Sequence, residues 1–137
     1  MRILLDTNVL IAAFISHGSC HDIFEHCARN HRMVTSEFIL SEVIDNLAFK
    51  FKYEERFLKQ VADLLDSCME RVVLPPDIPK VCRDRNDDPI IETAISGRCR
   101  CLVTGDRDLL VLKNHKGVPI IGPSDFWAYE AGVVDQI

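Results

Sequence analysis

The sequence predicts an α/β fold in a single domain spanning residues 1–137, with helices packed on a mostly parallel sheet. Three observations predict it. Short apolar runs alternate with longer stretches of helical period, the pattern of strands joined by crossover helices. The apolar share is 47% and the charged share 27%, ordinary values for a globular chain. The 137 residues are enough to bury one sizeable core and few enough to need only one. Neither an internal repeat nor a low-complexity tract interrupts the pattern.

Ile3-Leu4-Leu5 reads as a buried first strand ending at Asp6-Thr7-Asn8. Val9 to Ile15 fits a helix, and Gly18-Ser19 separates it from a second through Ile23, Phe24 and Cys27. Met33-Val34-Thr35 is the second strand, and Ser36 offers an N-cap to a helix carrying Ile39, Leu40, Val43, Ile44 and Leu47 on one stripe. A helix from about Glu54 to Met69 follows. Val72-Val73-Leu74 reads as a third strand stopped by Pro75-Pro76, since proline cannot donate to a ladder. The polar stretch from Asp77 to Asp87 reads as a loop. Asp88-Pro89 reads as a helix start, with a carboxylate at the N-cap and proline in the first turn. That helix ends at Gly97. Cys101 to Thr104 is a fourth strand, Val118 to Ile121 a fifth, and Pro123 to Ala131 a last helix.

Composition excludes several classes. No apolar run approaches the ~20 residues that span a bilayer, and the opening meets Asp6 too early for a secretory signal. No membrane association is expected, and the cytoplasm is the expected compartment. The six cysteines form no C-x-x-C pair and no zinc spacing with histidine, so they read as small buried hydrophobes. The five histidines, His17, His21, His26, His31 and His115, form no Cys/His ligand set and read as surface or loop residues. Phe126, Trp127 and Tyr129 read as packing rather than base-stacking residues. The net charge of −5 argues against a broadly basic phosphate-binding face. Between Arg83 and Lys116, however, seven basic residues stand against six acidic ones, and bound divalent metal would raise the local charge further.

The acids carry the chemistry. Ligands of an open parallel sheet bind beyond the carboxyl ends of its strands. Asp6 directly follows the first strand, and Asp106 follows the fourth after a glycine. Asp88 opens the helix that leads into that fourth strand, and Glu42 flanks the apolar stripe of its own helix. Four carboxylates from separate segments can therefore converge. Such a cluster repels itself and raises its own pKa values, and Mg²⁺ or Mn²⁺ with oxygen ligands would offset that repulsion. Each acid also has a bland reading as a turn former, a helix cap or a solvated flank.

Four segments resemble the motifs of the PIN-domain family (PilT N-terminus). They are Leu4-Leu5-Asp6-Thr7-Asn8-Val9-Leu10, Leu40-Ser41-Glu42-Val43, Asp87 to Ala94, and Leu102 to Leu109 with its Thr104-Gly105-Asp106-Arg107-Asp108-Leu109. The fourth is similar to the family's branch of toxin components. The resemblance runs from about Ile3 to Phe126. It implies a three-layer α/β/α sandwich around a parallel five-stranded sheet, often a homodimer, with metal-dependent cleavage of RNA and an antitoxin as protein partner. Carried over by position, the metal-binding and catalytic acids are Asp6, Glu42, Asp88 and Asp106. Thr7 and Asn8 support them and Asp108 is an auxiliary acid. The doubled Asp87-Asp88 leaves two registers, of which Asp88 is preferred because it directly precedes the apolar helical run.

On this reading one or two Mg²⁺ or Mn²⁺ ions activate water for hydrolysis of an RNA phosphodiester. Products would carry a 5′-phosphate and a 3′-hydroxyl. Arg107, Arg85 and Lys113 are candidates to hold flanking phosphates. Two other classes compete. A metal-dependent phosphatase of the haloacid-dehalogenase type wants D-x-D, where this chain has Asp6-Thr7-Asn8. A catalytically latent PIN-like module would bind RNA or protein without cleaving.

Overall fold

Ile3, Leu4 and Leu5 are shielded from solvent on both sides, and they form the central strand of the sheet. A strand covered by helices on both faces needs an unbroken apolar run rather than alternation. The computed structural model describes residues 1–135. In it β1 (Arg2–Leu5) pairs in parallel with β2 (Arg32–Ser36) on one side and β4 (Cys101–Val103) on the other. Parallel pairing continues outward to β3 (Met69–Val72) beside β2 and to β6 (Val118–Ile121) beside β4. The short β5 (Asn114–His115) adds antiparallel to β6, so the order is β3-β2-β1-β4-β6-β5.

The helices are α1 (Thr7–Ile15), α2 (Ser19–Asn30), α3 (Glu37–Phe49), α4 (Glu55–Cys68), α5 (Asp88–Ser96), α6 (Arg107–Leu110) and α7 (Phe126–Asp135). The chain first steps outward from β1 through β2 to β3, then crosses back past β1 to β4 and β6. Right-handed crossovers running in opposite directions place their helices on opposite faces of the sheet. Three layers result. α1 packs on α2 and α3, α3 on α4, and α5 against β1 and β2. One apolar core runs through the chain from Ile3 to Phe126. Among the described residues no helix is long and apolar enough to cross a membrane.

Several expected boundaries move, each for a physical reason. The sheet has six strands, not five. Lys116 and Gly117 both adopt positive φ, 50° and 85°, the geometry of a two-residue hairpin turn that folds Asn114-His115 back onto β6. The third strand is Met69–Val72 rather than Val72–Leu74, and Val73 is 91% exposed. As an edge strand β3 tolerates Glu70 and Arg71, which pair with Arg2 and with Glu37 and Asp66, and those charges hid it. Ser36 stands at the N-cap of α3 without bonding a helix N–H. Its buried hydroxyl lies 2.8 Å from that of Thr93 and joins the end of β2 to α5. Asp88 is the first residue of α5 rather than its cap, because a 3₁₀ turn over Arg85–Asp87 leads directly into it. Phe126 is fully buried, in line with its packing role, while Trp127 is 41% exposed. All six cysteines are free; Cys27, Cys82, Cys99 and Cys101 are buried, Cys20 and Cys68 partly so.

Gly97 ends α5 because nothing larger fits. A Cβ there would lie 2.5 Å from Val34 Cγ1 and 2.9 Å from the Thr93 carbonyl oxygen, inside any permissible contact. Gly97→Ala should therefore push α5 off β2 and cost about 1–3 kcal/mol, measured as a lowered urea midpoint at unchanged slope. A midpoint equal to that of the parent protein would show that the α5–β2 packing is slack.

Candidate functional site

β1 and β4 are neighbours, yet the chain leaves β1 toward β2 and leaves β4 toward β6. That reversal opens a crevice outside the carboxyl ends of the two strands. Asp6 and Asp106 project from the residues that follow them. Asp6 is still held to the sheet, its N–H donating to the Val103 carbonyl at 2.9 Å. It also starts α1, whose Thr7 N–H donates to Asp6 Oδ1 at 2.7 Å. Asp106 starts α6 in the same manner, its Oδ1 accepting from the Asp108 N–H at 2.9 Å. Both acids sit at a strand end and a helix N-terminus together, where partial positive charge favours a carboxylate.

Two threonine hydroxyls tie the acids into one array. Thr104 donates its hydroxyl to Asp6 Oδ2 at 2.6 Å and accepts from the Asp106 N–H at 3.0 Å. Thr7 donates its hydroxyl to Glu42 Oε1 at 2.8 Å while its N–H holds Asp6. Glu42, Asp6 and Asp106 are thus linked through Thr7 and Thr104. Thr104 lay inside the fourth motif without an assigned role. The signal that could have found it is a hydroxyl two residues before an acid at a strand end.

The third motif resolves differently from the expected register. Asp87, Asp106 and Asp108 each place a carboxylate oxygen within 4.8 Å of the other two. Asp88 turns away from them. Its Oδ1 accepts from the Val81 and Cys82 N–H groups at 3.0 and 2.7 Å, and it is 2% exposed. It fastens the preceding loop to α5, with Arg85 Nε 3.9 Å from its Oδ2. The two adjacent acids straddle the join between the 3₁₀ turn over Arg85–Asp87 and α5, Asp87 joining the trio and Asp88 binding the loop. Asp87 therefore stands in the cluster where Asp88 was expected.

Of the other residues singled out in the sequence, Asn8, Arg107 and Lys113 are exposed, and none of them hydrogen-bonds or ion-pairs with an acid of the array among the described residues. Arg85 reaches Asp88 rather than the crevice. Arg83, which had no assigned role, points its Nε 3.8 Å from Asp108 Oδ1. Few fixed cations offset the acids, and the electrostatics follow. Burial pushes the Asp6 carboxyl up, the Thr104 hydroxyl and Thr7 N–H oppose the rise, and Asp106 and Glu42 add to it. Burial followed by the charges of Asp106, Asp84, Asp6 and Asp108 pushes Asp87 up to about 7. Asp88 behaves oppositely. Burial disfavours its charge, but the Cys82 and Val81 N–H groups, the Cys82 thiol and Arg85 hold it below the usual carboxylate range.

The family model described as the PIN domain matches residues 2–108, which include every acid of this array. The chain belongs to the PIN-domain family. Membership supports a nuclease role in general terms. No curated protein matches the sequence. Two solved structures show the same PIN fold. A VapBC2 complex from Rickettsia felis, bound to a DNA fragment from its promoter, aligns with a TM-score of 0.62 at 19% identity, covering 89% of this chain and 98% of its own. FitAcB from Neisseria gonorrhoeae aligns at 0.59 and 17% identity with the same coverage. At such identities the likeness concerns the fold.

The raised acids give the PIN domain a pH signature. Folded Asp87 titrates at about 7, whereas an unfolded aspartate titrates near ~3.9. The folded state then binds the extra proton, so stability falls as pH rises between those two values and levels off above. In chelator-treated protein the thermal midpoint should decline from about pH 5 to 7.5 on this account. Asp87→Asn should make the decline shallower, and a variant as steep as the parent would remove Asp87 as its source.

Proposed function

We propose that the protein is a divalent-metal-dependent endoribonuclease and the toxin of a toxin–antitoxin pair. The observation that carries this reading is the array Glu42–Thr7–Asp6–Thr104–Asp106, with Asp87 and Asp108 beside it, at the switch point of the sheet. The donor set fits a hard cation. It consists of carboxylate oxygens, it is short of cationic partners, and burial plus mutual repulsion raise the Asp6 and Asp87 carboxyls. Asp6, Asp87 and Asp106 would hold Mg²⁺ or Mn²⁺, with Glu42 and Asp108 auxiliary. Bound there, such an ion supplies a Lewis acid and lowers the pKa of a coordinated water.

The chain's own groups do the positioning. Thr104 locks Asp6 Oδ2 and, through the Asp106 N–H, sets the distance between the two strand-end acids. Thr7 fixes Glu42 at the near side of the crevice, so its carboxylate cannot swing to solvent. Arg83 and the exposed Arg107 and Lys113 are placed on flexible stems at the surface, where they can hold RNA phosphates on either side of the cut. The acid-lined crevice itself repels an unneutralised phosphate, which makes cleavage depend on the cation. The resemblance to toxin components supports the biological assignment and an antitoxin as partner; an intracellular, homodimeric protein acting on RNA is the form this proposal takes.

The test is cleavage of single-stranded RNA in Mn²⁺ or Mg²⁺, with chelator as control and end-group analysis for 5′-phosphate. Asp6→Asn and Asp106→Asn should each lower kcat/KM by at least about 100-fold, roughly the loss of 2.7 kcal/mol of transition-state stabilisation. Asp87→Asn should match them. Asp88→Asn should instead lower the melting temperature while the folded fraction keeps more activity than Asp87→Asn. RNA bound but uncut by the parent protein in both metals would favour the latent binding module and end the nuclease reading.

A further inference from the structure

A second cluster of ligating side chains lies at the other end of the sheet, beside the amino ends of β1 and β2. His26 comes from the last turns of α2, His31 directly follows that helix, and Glu130 comes from α7. Both imidazole Nε2 atoms lie 2.5 Å from the same oxygen, Glu130 Oε2. The three ligand atoms all fall within 4.8 Å of one another. Side-chain exposure is 30% for His26, 9% for His31 and 18% for Glu130, and the rings of Phe126 and Trp127 pack on the histidines. The sequence reads these histidines as surface or loop residues; His31 does stand in the bend after α2, whereas His26 lies on the helix with 30% side-chain exposure. Their five-residue separation lets one sit on the helix and the other on its exit, and the carboxylate arrives from about a hundred residues away.

We propose that His26, His31 and Glu130 form a transition-metal site of the zinc class, separate from the acidic crevice. Two imidazoles and a carboxylate converging on one point are a donor set for Zn²⁺, Co²⁺ or Ni²⁺ rather than Mg²⁺. Three protein ligands leave one position for water. An ion there would cross-link α7 to α2 and to the start of β2.

Proton bookkeeping sets the conditions. Each Nε2 must offer a lone pair, so its ring proton moves to Nδ1 and the excess proton leaves. His26 Nδ1 lies 3.2 Å from the Asn30 side-chain nitrogen, which also donates to the His26 carbonyl at 3.0 Å, so coordination at Nε2 requires the Asn30 amide to turn. His31 Nδ1 lies 2.9 Å from the Met1 nitrogen. Because binding displaces protons from the ligand atoms, affinity should rise with pH.

The chain's single tryptophan reports on the site, since the Trp127 ring centroid lies 4.8 Å from that of His26. The experiment titrates the full chain with Co²⁺ in excess Mg²⁺ and follows Trp127 fluorescence and visible absorption, then adds Zn²⁺. Expected is saturable quenching at one Co²⁺ per chain, with d–d bands but no thiolate charge-transfer band, reversed by Zn²⁺ and tighter at pH 8 than at pH 6. His26→Gln and Glu130→Gln should each weaken Co²⁺ by about 100-fold or more, with circular dichroism confirming that both fold. Asp106→Asn should leave the quenching unchanged. The proposal is overturned by unsaturable quenching, by a thiolate band, or by quenching that survives both substitutions; the three side chains would then be a hydrogen-bonded clasp alone. None of these outcomes bears on the acidic crevice.

Discussion

Everything at the carboxyl end of this sheet depends on one electrostatic constraint: several carboxylates are pressed together with almost no fixed positive charge among them. Two unit charges about 4 Å apart repel by roughly 4 kcal/mol at an effective dielectric of about 20. A whole domain is stable by only about 5–15 kcal/mol. The cluster is therefore a large local debit, and the rest of the structure must hold it in place. Hydrogen bonding from Thr104, Thr7 and the first N–H groups of α1 and α6 relieves part of it. Asp87, pushed up to about 7, relieves more by holding a proton below that pH. A divalent cation would relieve the remainder, which is the physical link between this geometry and the metal-dependent cleavage proposed for it.

The scaffold tolerates that debit because the strands bearing the acids are the most deeply buried in the molecule. Ile3 to Leu5 and Cys101 to Val103 are almost entirely excluded from solvent. Burying one aliphatic side chain contributes about 1.5–3 kcal/mol, and five of these six residues are aliphatic, so packing anchors the strands independently of the acids at their ends. The adjacency of β1 and β4 then follows from packing and cannot be adjusted by the acids. Tight contacts elsewhere serve the same rigidity, with Gly97 against Val34 and the Ser36 and Thr93 hydroxyls joining β2 to α5. Asp88 belongs to this framework. It is the loop fastener whose position lets its neighbour Asp87 face the crevice.

The two ends of the sheet differ in donor chemistry. The carboxyl end offers oxygen ligands in a half-open crevice, which suits a hard, hydrated ion exchanged with substrate. The amino end gathers two imidazoles from α2 and its exit and one carboxylate from α7 under aromatic cover. One arrangement is fit for chemistry on phosphate. The other is fit for fastening the last helix to the body of the domain.

The sequence by itself determined the central strands, the helical stripes and the ordered spacing of four acidic motifs, because buried parallel strands and amphipathic helices leave periodic traces in a single chain. Asp6, Glu42 and Asp106 were legible for the same reason: each sits at a fixed offset from such an element. Only the tertiary structure decided between Asp87 and Asp88, since they straddle the join between the 3₁₀ turn and α5 and no linear pattern tells which of the two joins the cluster. It also decided β3, whose charges pair across elements, and β5, created by the positive-φ turn at Lys116-Gly117. Thr104, and the meeting of His26 and His31 with Glu130, were likewise settled in three dimensions. Contacts between residues a hundred positions apart depend on how strands are ordered in the sheet, and a linear pattern does not carry that order.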